Sequence, residues 1–194
     1  GFGGSCFKKD ILNLVYICKS LGLNDVAYYW ESVMRINDWQ QERIYRAVVE
    51  KLYGNISSKI IVIMGFSFKA NTNDTRNSPS INISRQLLGE NANIVIHDPK
   101  VDADAVFNAI FEDNKNFKNN NKLTYEKNIL KAIENADAVI IMTDWEEYKN
   151  LDWRNIELKM RKPSWIFDTR SIISSQMLKK TNLNFWQLGN GESF

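Results

Sequence analysis

The chain has 194 residues, with 25 Lys and Arg against 23 Asp and Glu, a single histidine and two cysteines. That balance offers no basic stripe of the kind a nucleic-acid binder carries, and no apolar run approaches the roughly 20 residues that span a bilayer. Two cysteines make no disulfide framework, one histidine argues against a zinc site, and the expected compartment is the reducing cytoplasm.

The opening stretch, Gly1-Phe2-Gly3-Gly4-Ser5-Cys6-Phe7-Lys8-Lys9-Asp10, leads directly into an apolar periodic segment. Glycines let a backbone turn tightly or approach a ligand closely, and a cysteine beside cations has the setting in which a thiolate is stabilised. The pattern alone leaves two readings open: a nucleophile loop, or a small buried residue at a helix start. Such a beginning suggests that a longer polypeptide precedes it. A helix is expected over about 10–21, with Asp10 as a first-turn or cap residue and Ile11, Leu14, Val15, Cys18 and Leu21 on one stripe. Cys18 reads as packing.

A second helix is expected from about Asp25 to Tyr53, with no proline or glycine to interrupt it. Val26, Trp30, Val33, Asn37, Ile44, Val48 and Leu52 trace one face, broadened by Tyr29, Ile36 and Ala47. At about 1.5 Å per residue this is a rod of about 40 Å, long for a small domain. Its wide apolar face reads either as a dimer interface or as a spine between domains.

After the polar link Gly54–Ser58 the pattern changes. Ile60-Ile61-Val62-Ile63-Met64-Gly65 reads as a buried parallel strand. Ser78-Pro79 opens a helix to about Leu88, and Asn93 to Asp98 is a strand stopped by Pro99. A short helix is expected near 102–111, an exposed Asn/Lys-rich loop over 112–122, a helix over about Tyr125–Glu134 and a strand over Asp137–Met142. A helix over Asp152–Met160, the strand Trp165-Ile166-Phe167, a helix near Ser174–Lys180 and the strand Phe185–Leu188 complete the alternation.

Strand–helix alternation from residue 59 onward predicts an α/β fold: a helical central segment followed by a Rossmann-like parallel-sheet domain. Ligands of such sheets sit beyond the carboxyl ends of the strands. Phe66 to Arg76, His97-Asp98, Thr143-Asp144 and Asp168 to Arg170 stand there. Two arginines and a lysine at that edge suit a phosphorylated or nucleotide ligand, although an ordinary solvated edge would also carry such charges. No GxGxxG follows the first strand. His97 reads as a structural strand-end residue.

The first ten residues, then Gly65-Phe66-Ser67-Phe68-Lys69 with Asn73-Asp74-Thr75-Arg76, His97-Asp98-Pro99 and Phe167-Asp168-Thr169-Arg170, follow an ordered pattern. In it the chain resembles the UDP-glucose/GDP-mannose dehydrogenase family over essentially its whole length, and looks most like the UDP-glucose branch. The resemblance implies a nucleophile loop and helical dimerisation segment over 1–56 and a UDP-sugar-binding domain over 57–194. The family's N-terminal NAD-binding domain is absent from this stretch. It implies oxidation of UDP-glucose to UDP-glucuronate with two NAD, through a thiohemiacetal and a thioester on Cys6. Asp10 is implied as the carboxylate that manages protons in thioester hydrolysis. Phe2, Gly3, Phe7, Phe68, Lys69 and Arg170 are implied to contact the UDP-sugar, and Arg76, with Cys6, the NAD. Lys9, Asp74 and Asp168 are implied as supporting residues, and no metal is implied. Thr169 stands where relatives often have glycine.

On this resemblance the 194 residues alone are expected to be catalytically inactive and to pair as a homodimer through residues 25–53, with higher assembly left open. The alternatives are oxidation of GDP-mannose or a UDP-N-acetylhexosamine, and a UDP-sugar-binding or dimerisation module without catalysis. A binding module would leave Cys6 and Asp10 unexplained, and a dimerisation module would leave the edge lysine and arginines unexplained.

Overall fold

The structure, a computed structural model, describes residues 1–111 and 121–191. Most of the expected Asn/Lys-rich loop, residues 112–120, lies outside them.

Helix α1 spans Cys6–Ser20 and α2 spans Asn24–Lys51. They fold back on each other through the turn at Leu21–Leu23, burying Ile11, Val15 and Cys18 against Ala27 and Met34, with Leu14, Trp30 and Val33 at the margin. α1 begins four residues before the expected start. Ser5 takes the N-cap position, and Asp10 therefore stands in the second turn instead of capping the helix. Nothing in residues 6–10 opposes helix, and the break in the chain is at Gly4, where φ is +84°.

The expected face of α2 divides in two. Trp30, Asn37, Ile44, Ala47, Val48 and Leu52 turn inward, whereas Val26, Tyr29 and Ile36 face solvent on a neighbouring stripe. The inward stripe serves two partners in turn. Its first half packs on α1, and its second half enters the core beneath the sheet beside Ile56, Ile83 and Leu87.

That sheet has six strands, all parallel: β1 Ile60–Met64, β2 Asn93–His97, β3 Leu123–Tyr125, β4 Ala138–Ile141, β5 Trp165–Asp168 and β6 Asn184–Gln187, in the order β3-β2-β1-β4-β5-β6. Alternate residues of a strand point to opposite faces. Ile61 and Ile63 thus join α2, α3 (Pro79–Gly89) and α4 (Ala103–Phe111) on one side. Val62 and Met64 join α5 (Ile129–Ala132), α6 (Glu146–Lys149), α7 (Trp153–Lys159) and α8 (Ser175–Leu178) on the other. This is a doubly wound α/β architecture, whose ligand crevice lies where the winding reverses, between β1 and β4.

The helix expected over 125–134 is replaced by edge strand β3 and the short α5, capped by Asn128, whose side chain accepts from Lys131 N at 3.1 Å. Three residues are too few to show a strand period in the sequence. α6 was not anticipated, for the same reason of length. The last helix shrinks to four residues. Elsewhere the expected elements stand within a residue or two, with Ser78-Pro79 opening α3 and the Asp152 carboxylate capping α7. Among the described residues no helix is long and apolar enough to cross a membrane.

Candidate functional site

At the carboxyl end of β1 the chain must leave the sheet through a space that only glycine fits. Gly65 has φ +95°, and a Cβ there would lie 2.5 Å from Thr143 Oγ1. The loop beyond it is tied from within. Asp98, fully buried at the end of β2, accepts through Oδ2 from Phe66 N at 2.7 Å, Ser67 N at 3.0 Å, Ser67 Oγ at 3.2 Å and Trp145 Nε1 at 3.2 Å. Its Oδ1 accepts from Lys100 N at 2.8 Å and Val101 N at 2.9 Å. Thr143 Oγ1 donates to Ser67 O at 2.7 Å, and Ser80 Oγ to Gly65 O at 2.9 Å. A buried carboxylate is tolerated only when it is saturated in this way. Asp98 thereby sets the departure of Phe68 and Lys69 towards solvent. The sequence reading placed it at the sheet edge and missed this role.

Phe68 and Lys69 stand on the outer part of that loop, with Lys69 Nζ 5.3 Å from the Phe68 ring centre. Further on, Asp74 accepts from Arg76 Nε at 2.9 Å and Nη2 at 2.8 Å, a bidentate pair, and from Arg76 N at 2.9 Å. These bonds hold the Asp74 carboxyl below its ordinary range. They hold the Arg76 guanidinium above its own, with a smaller Coulombic contribution from Cys6. Arg76 is therefore within electrostatic reach of Cys6.

This loop is docked on the opening glycines. Gly4 N donates to Arg76 O at 3.0 Å, and Asn77 Nδ2 donates to Gly4 O at 3.3 Å. Gly4 lies flat on Phe68, so that a Cβ would sit 3.0 Å from the ring, and Gly3 lies against the Asn77 carbonyl. Phe2 is gripped from α2: its N–H donates to Asn37 Oδ1 at 2.6 Å, and its carbonyl accepts from Asn37 Nδ2 at 3.3 Å and Gln41 Nε2 at 3.4 Å. Sequence reasoning put Asn37 on an apolar stripe and had no signal for this grip beyond the presence of a polar residue there.

From that platform α1 departs. Cys6 is its first residue and exposed, at the positive end of the helix dipole. Ser5 Oγ is 3.8 Å from its sulfur. Asp10 follows at i+4, which places it on the same side of the helix one turn away. Lys9 lies 4.0 Å from Asp10 with both side chains largely exposed, a pair that adds little stability. Phe7 meets Phe2 edge-on, with ring centres 4.6 Å apart.

Arg170 approaches from the end of β5. Asp168 holds the backbone of its turn, accepting from Arg170 N at 2.9 Å, Ile173 N at 2.8 Å and Gln187 Nε2 at 3.2 Å. The guanidinium donates through Nε to Met142 O at 2.6 Å. Burial pushes the Arg170 pKa down, opposed by Asp144. Arg170 also lies within electrostatic reach of Gly1, at the start of the glycine loop.

Phe2, Gly3, Phe68, Arg76, Arg170 and Cys6 thus gather around one loop, with Lys69 and Asp10 at its margins. His97 is elsewhere, buried between Tyr148 Oη at 2.9 Å and Lys127 O at 3.2 Å. A cleft of about 250 Å³ opens beside Phe2, Gly3, Lys8, Asn77 and Asn82. The Arg76 side chain, 69 % accessible, spends its Nε and Nη2 edge on Asp74 and turns the rest of the guanidinium to solvent, a cation available to an anionic ligand. Among the described residues no group of three His, Cys, Asp or Glu side chains could hold a metal ion. The arrangement offers a sulfur nucleophile, a nearby carboxylate, an aromatic face and cations for an anionic ligand.

Residues 62–175 match the UDP binding domain of the UDP-glucose/GDP-mannose dehydrogenase family, and residues 1–39 match its central domain. UDP-glucose 6-dehydrogenase 1 of Glycine max is 39% identical over 200 residues, covering 97% of this chain and 42% of that protein. The chain therefore spans less than half the length of the curated relatives it matches. Among solved structures, a UDP-glucose dehydrogenase from Pyrobaculum islandicum superposes with a TM-score of 0.67 at 31% identity, over 79% of this chain and 33% of that one. A UDP-D-ManNAc dehydrogenase from Pyrococcus horikoshii gives 0.69 at 26%, over 98% and 39%. Sequence and fold agree, and the chain belongs to the UDP-glucose/GDP-mannose dehydrogenase family.

Proposed function

We propose that these residues are the nucleophile and nucleotide-sugar-binding parts of an NAD-dependent dehydrogenase that oxidises UDP-glucose to UDP-glucuronate. One observation carries the reading: the loop leading into Cys6 is docked directly on Phe68 and the Asp74–Asn77 segment, so the sulfur and a nucleotide-binding sheet edge share one platform. Residues 1–56 would form the nucleophile loop and helical pairing segment, and 57–194 the UDP-sugar domain.

In this reading Phe68, Lys69 and Arg170 hold the nucleotide, while Phe2, Gly3 and Phe7 lie against the sugar. Arg76, beside Cys6, faces the diphosphate of the cofactor. Two hydrides leave the sugar C6 in succession, the first together with the C6 hydroxyl proton, which passes to solvent, and NAD is the acceptor that would supply this redox capacity when bound. Between them the Cys6 thiolate adds to the C6 aldehyde, forming a carbon–sulfur bond. Loss of the second hydride from that adduct leaves a thioester. Asp10 takes a proton from the water that attacks the thioester carbonyl, the carbon–sulfur bond breaks, and the thiolate returns. Lys9 tunes the charge at Asp10, while Asp74 and Asp168 hold the backbone and side chains of the two arginine loops. A free catalytic thiol suits a reducing cytoplasmic setting. The 194 residues alone are expected to give no turnover.

Turnover by the enzyme containing these residues tests the reading, with UDP-glucose, GDP-mannose and a UDP-N-acetylhexosamine compared and Cys6→Ser set beside wild type. Preference for UDP-glucose and loss of carboxylate formation in Cys6→Ser are expected. Wild-type rates in Cys6→Ser would remove the nucleophile assignment, and preference for another sugar would replace the substrate.

A further inference from the structure

We propose that Asn37, with Gln41 one turn further along α2, is a positioning residue that sets the geometry of the nucleophile loop from behind; this rests on Cys6 being the nucleophile. Both side chains are buried, 6 % and 7 % exposed, at positions of α2 where the neighbouring inward residues are Trp30, Met34, Ile44 and Val48. A leucine at either position would continue that stripe. A carboxamide carries a donor and an acceptor side by side, and Asn37 spends both on one residue, Phe2: Oδ1 takes the N–H at 2.6 Å and Nδ2 reaches the carbonyl at 3.3 Å.

Gln41 makes the grip continuous across three elements. Its Nε2 shares the Phe2 carbonyl at 3.4 Å, and its Oε1 accepts from Asn82 Nδ2 of α3 at 3.1 Å. The other end of the loop is held independently, by Arg76 O and Asn77 at Gly4. Two anchors two residues apart fix the path of Gly3 between them and with it the point at which α1 begins at Cys6. Phe2 passes the constraint on directly as well, since its ring packs on Phe7, the residue after the sulfur. Release of the Phe2 anchor leaves Gly4 in place and frees the loop upstream of it. A polar clamp of this kind fixes orientation, and small displacements at a reacting centre are costly.

Alkylation of Cys6 by iodoacetamide is the direct readout, with buried Cys18 in the same chain as the reporter of general opening. Asn37→Leu keeps the branched outline with bulkier methyl groups and removes both hydrogen bonds. Asn37→Asp keeps the acceptor and replaces the Nδ2 donor by a carboxylate oxygen facing the Phe2 carbonyl. In both, the Cys6 rate is expected to change severalfold while Cys18 stays protected and the circular dichroism is native. In the enzyme containing these residues kcat is expected to fall by about 10- to 100-fold, the scale of a misplacement near 1 Å. Gln41→Leu, which removes one long contact to Phe2, gives a smaller change of the same kind and serves if Asn37 variants fail to fold. Unchanged Cys6 alkylation and kcat in natively folded variants would overturn the proposal, as would equal exposure of both cysteines. Failure of the nucleophile reading is separable, because it shows as full turnover in Cys6→Ser whatever the Asn37 variants do.

Discussion

His97 is the only histidine of the chain, and its burial makes it a reporter of acid sensitivity. Both ring nitrogens are engaged, by Tyr148 Oη and the Lys127 carbonyl, and desolvation holds the imidazole below its ordinary value in the folded state. The unfolded chain has the ordinary value near 6.5, so between the two the unfolded state carries the extra proton. Stability is therefore full above about pH 6.5 and falls as pH drops towards the lowered folded value. The hydrogen bond to the Lys127 backbone opposes the shift most, followed by Asp98 and Glu126, and Glu147 stands 4.0 Å from Nε2. Glu147 is itself raised by burial and by Asp98, so its own protonation favours the folded state as pH falls. His97→Gln isolates the histidine. Urea midpoints compared at pH 7.5 and 5.5 are expected to fall more in wild type than in the variant. The difference is bounded by about 1.4 kcal/mol per pH unit inside the window. Equal losses would place the proton elsewhere. At this scale the sequence is readable where a residue's chemistry is unusual in its setting, as with Cys6 among glycines and lysines. It is silent where an ordinary residue is used in an unusual way: Asp98 and Asn37 differ from any strand-end acid or helical amide only through the partners the fold brings to them.

α2 shows what an element can and cannot reveal about itself. Its length and lack of breakers are plain in the sequence, and they place the helix correctly. Which apolar stripe turns inward depends on α1 and the sheet, and the stripe carrying Val26, Tyr29 and Ile36 stays open. Tyr16 and Ile17 of α1 and Trp39 of α2 add to the apolar surface of the pair. Pairing with a second copy through α2 is the occupant proposed for this surface, and Ile36, 63 % exposed, is the residue to challenge it. Ile36→Asp leaves the isolated fold nearly unchanged, as surface substitutions usually do, but buries an unpaired carboxylate on association. Sedimentation at micromolar concentration is expected to show a dimer for wild type and a monomer for the variant, which still unfolds cooperatively, at a midpoint lowered only by the loss of the stabilisation that association adds. A monomeric wild type would remove α2 as an interface. Short elements were the least legible: β3 and α6 have three and four residues, too few for any period to emerge, and their pairing is decided by neighbours far along the chain.

For the molecule as a whole, the alternation of strands and helices was enough to give the sheet its class, and the strand order then assigns the crevice between β1 and β4. The loops that meet there are bolted together by Thr143, Ser67 and Asp98. On the reading proposed above, the outer residues Phe68 and Lys69, with the half-buried Arg170, receive the nucleotide. Titration of the chain with UDP is expected to show binding that weakens in Lys69→Ala and Arg170→Ala by about 1.5–3 kcal/mol each, the range for a hydrogen bond to a charged group. Binding should also fall with added salt, as exposed charge interactions do. Undiminished affinity in both variants would move the nucleotide off this edge.

The bolting of residues 65–67 from inside has a consequence for how such a site can change. Asp98, Thr143 and Ser80 fasten the loop's root into the sheet, while Lys69 to Asn73 extend past it and are exposed or half-buried. Root and tip are separately editable. Substitutions at the root strike the fold, since they strand buried donors or force a side chain onto Thr143. On the reading proposed above, substitutions at the tip alter what is recognised and leave the sheet standing. A new ligand preference can therefore arise here by exchange of a few tip residues, without a compensating mutation in the core.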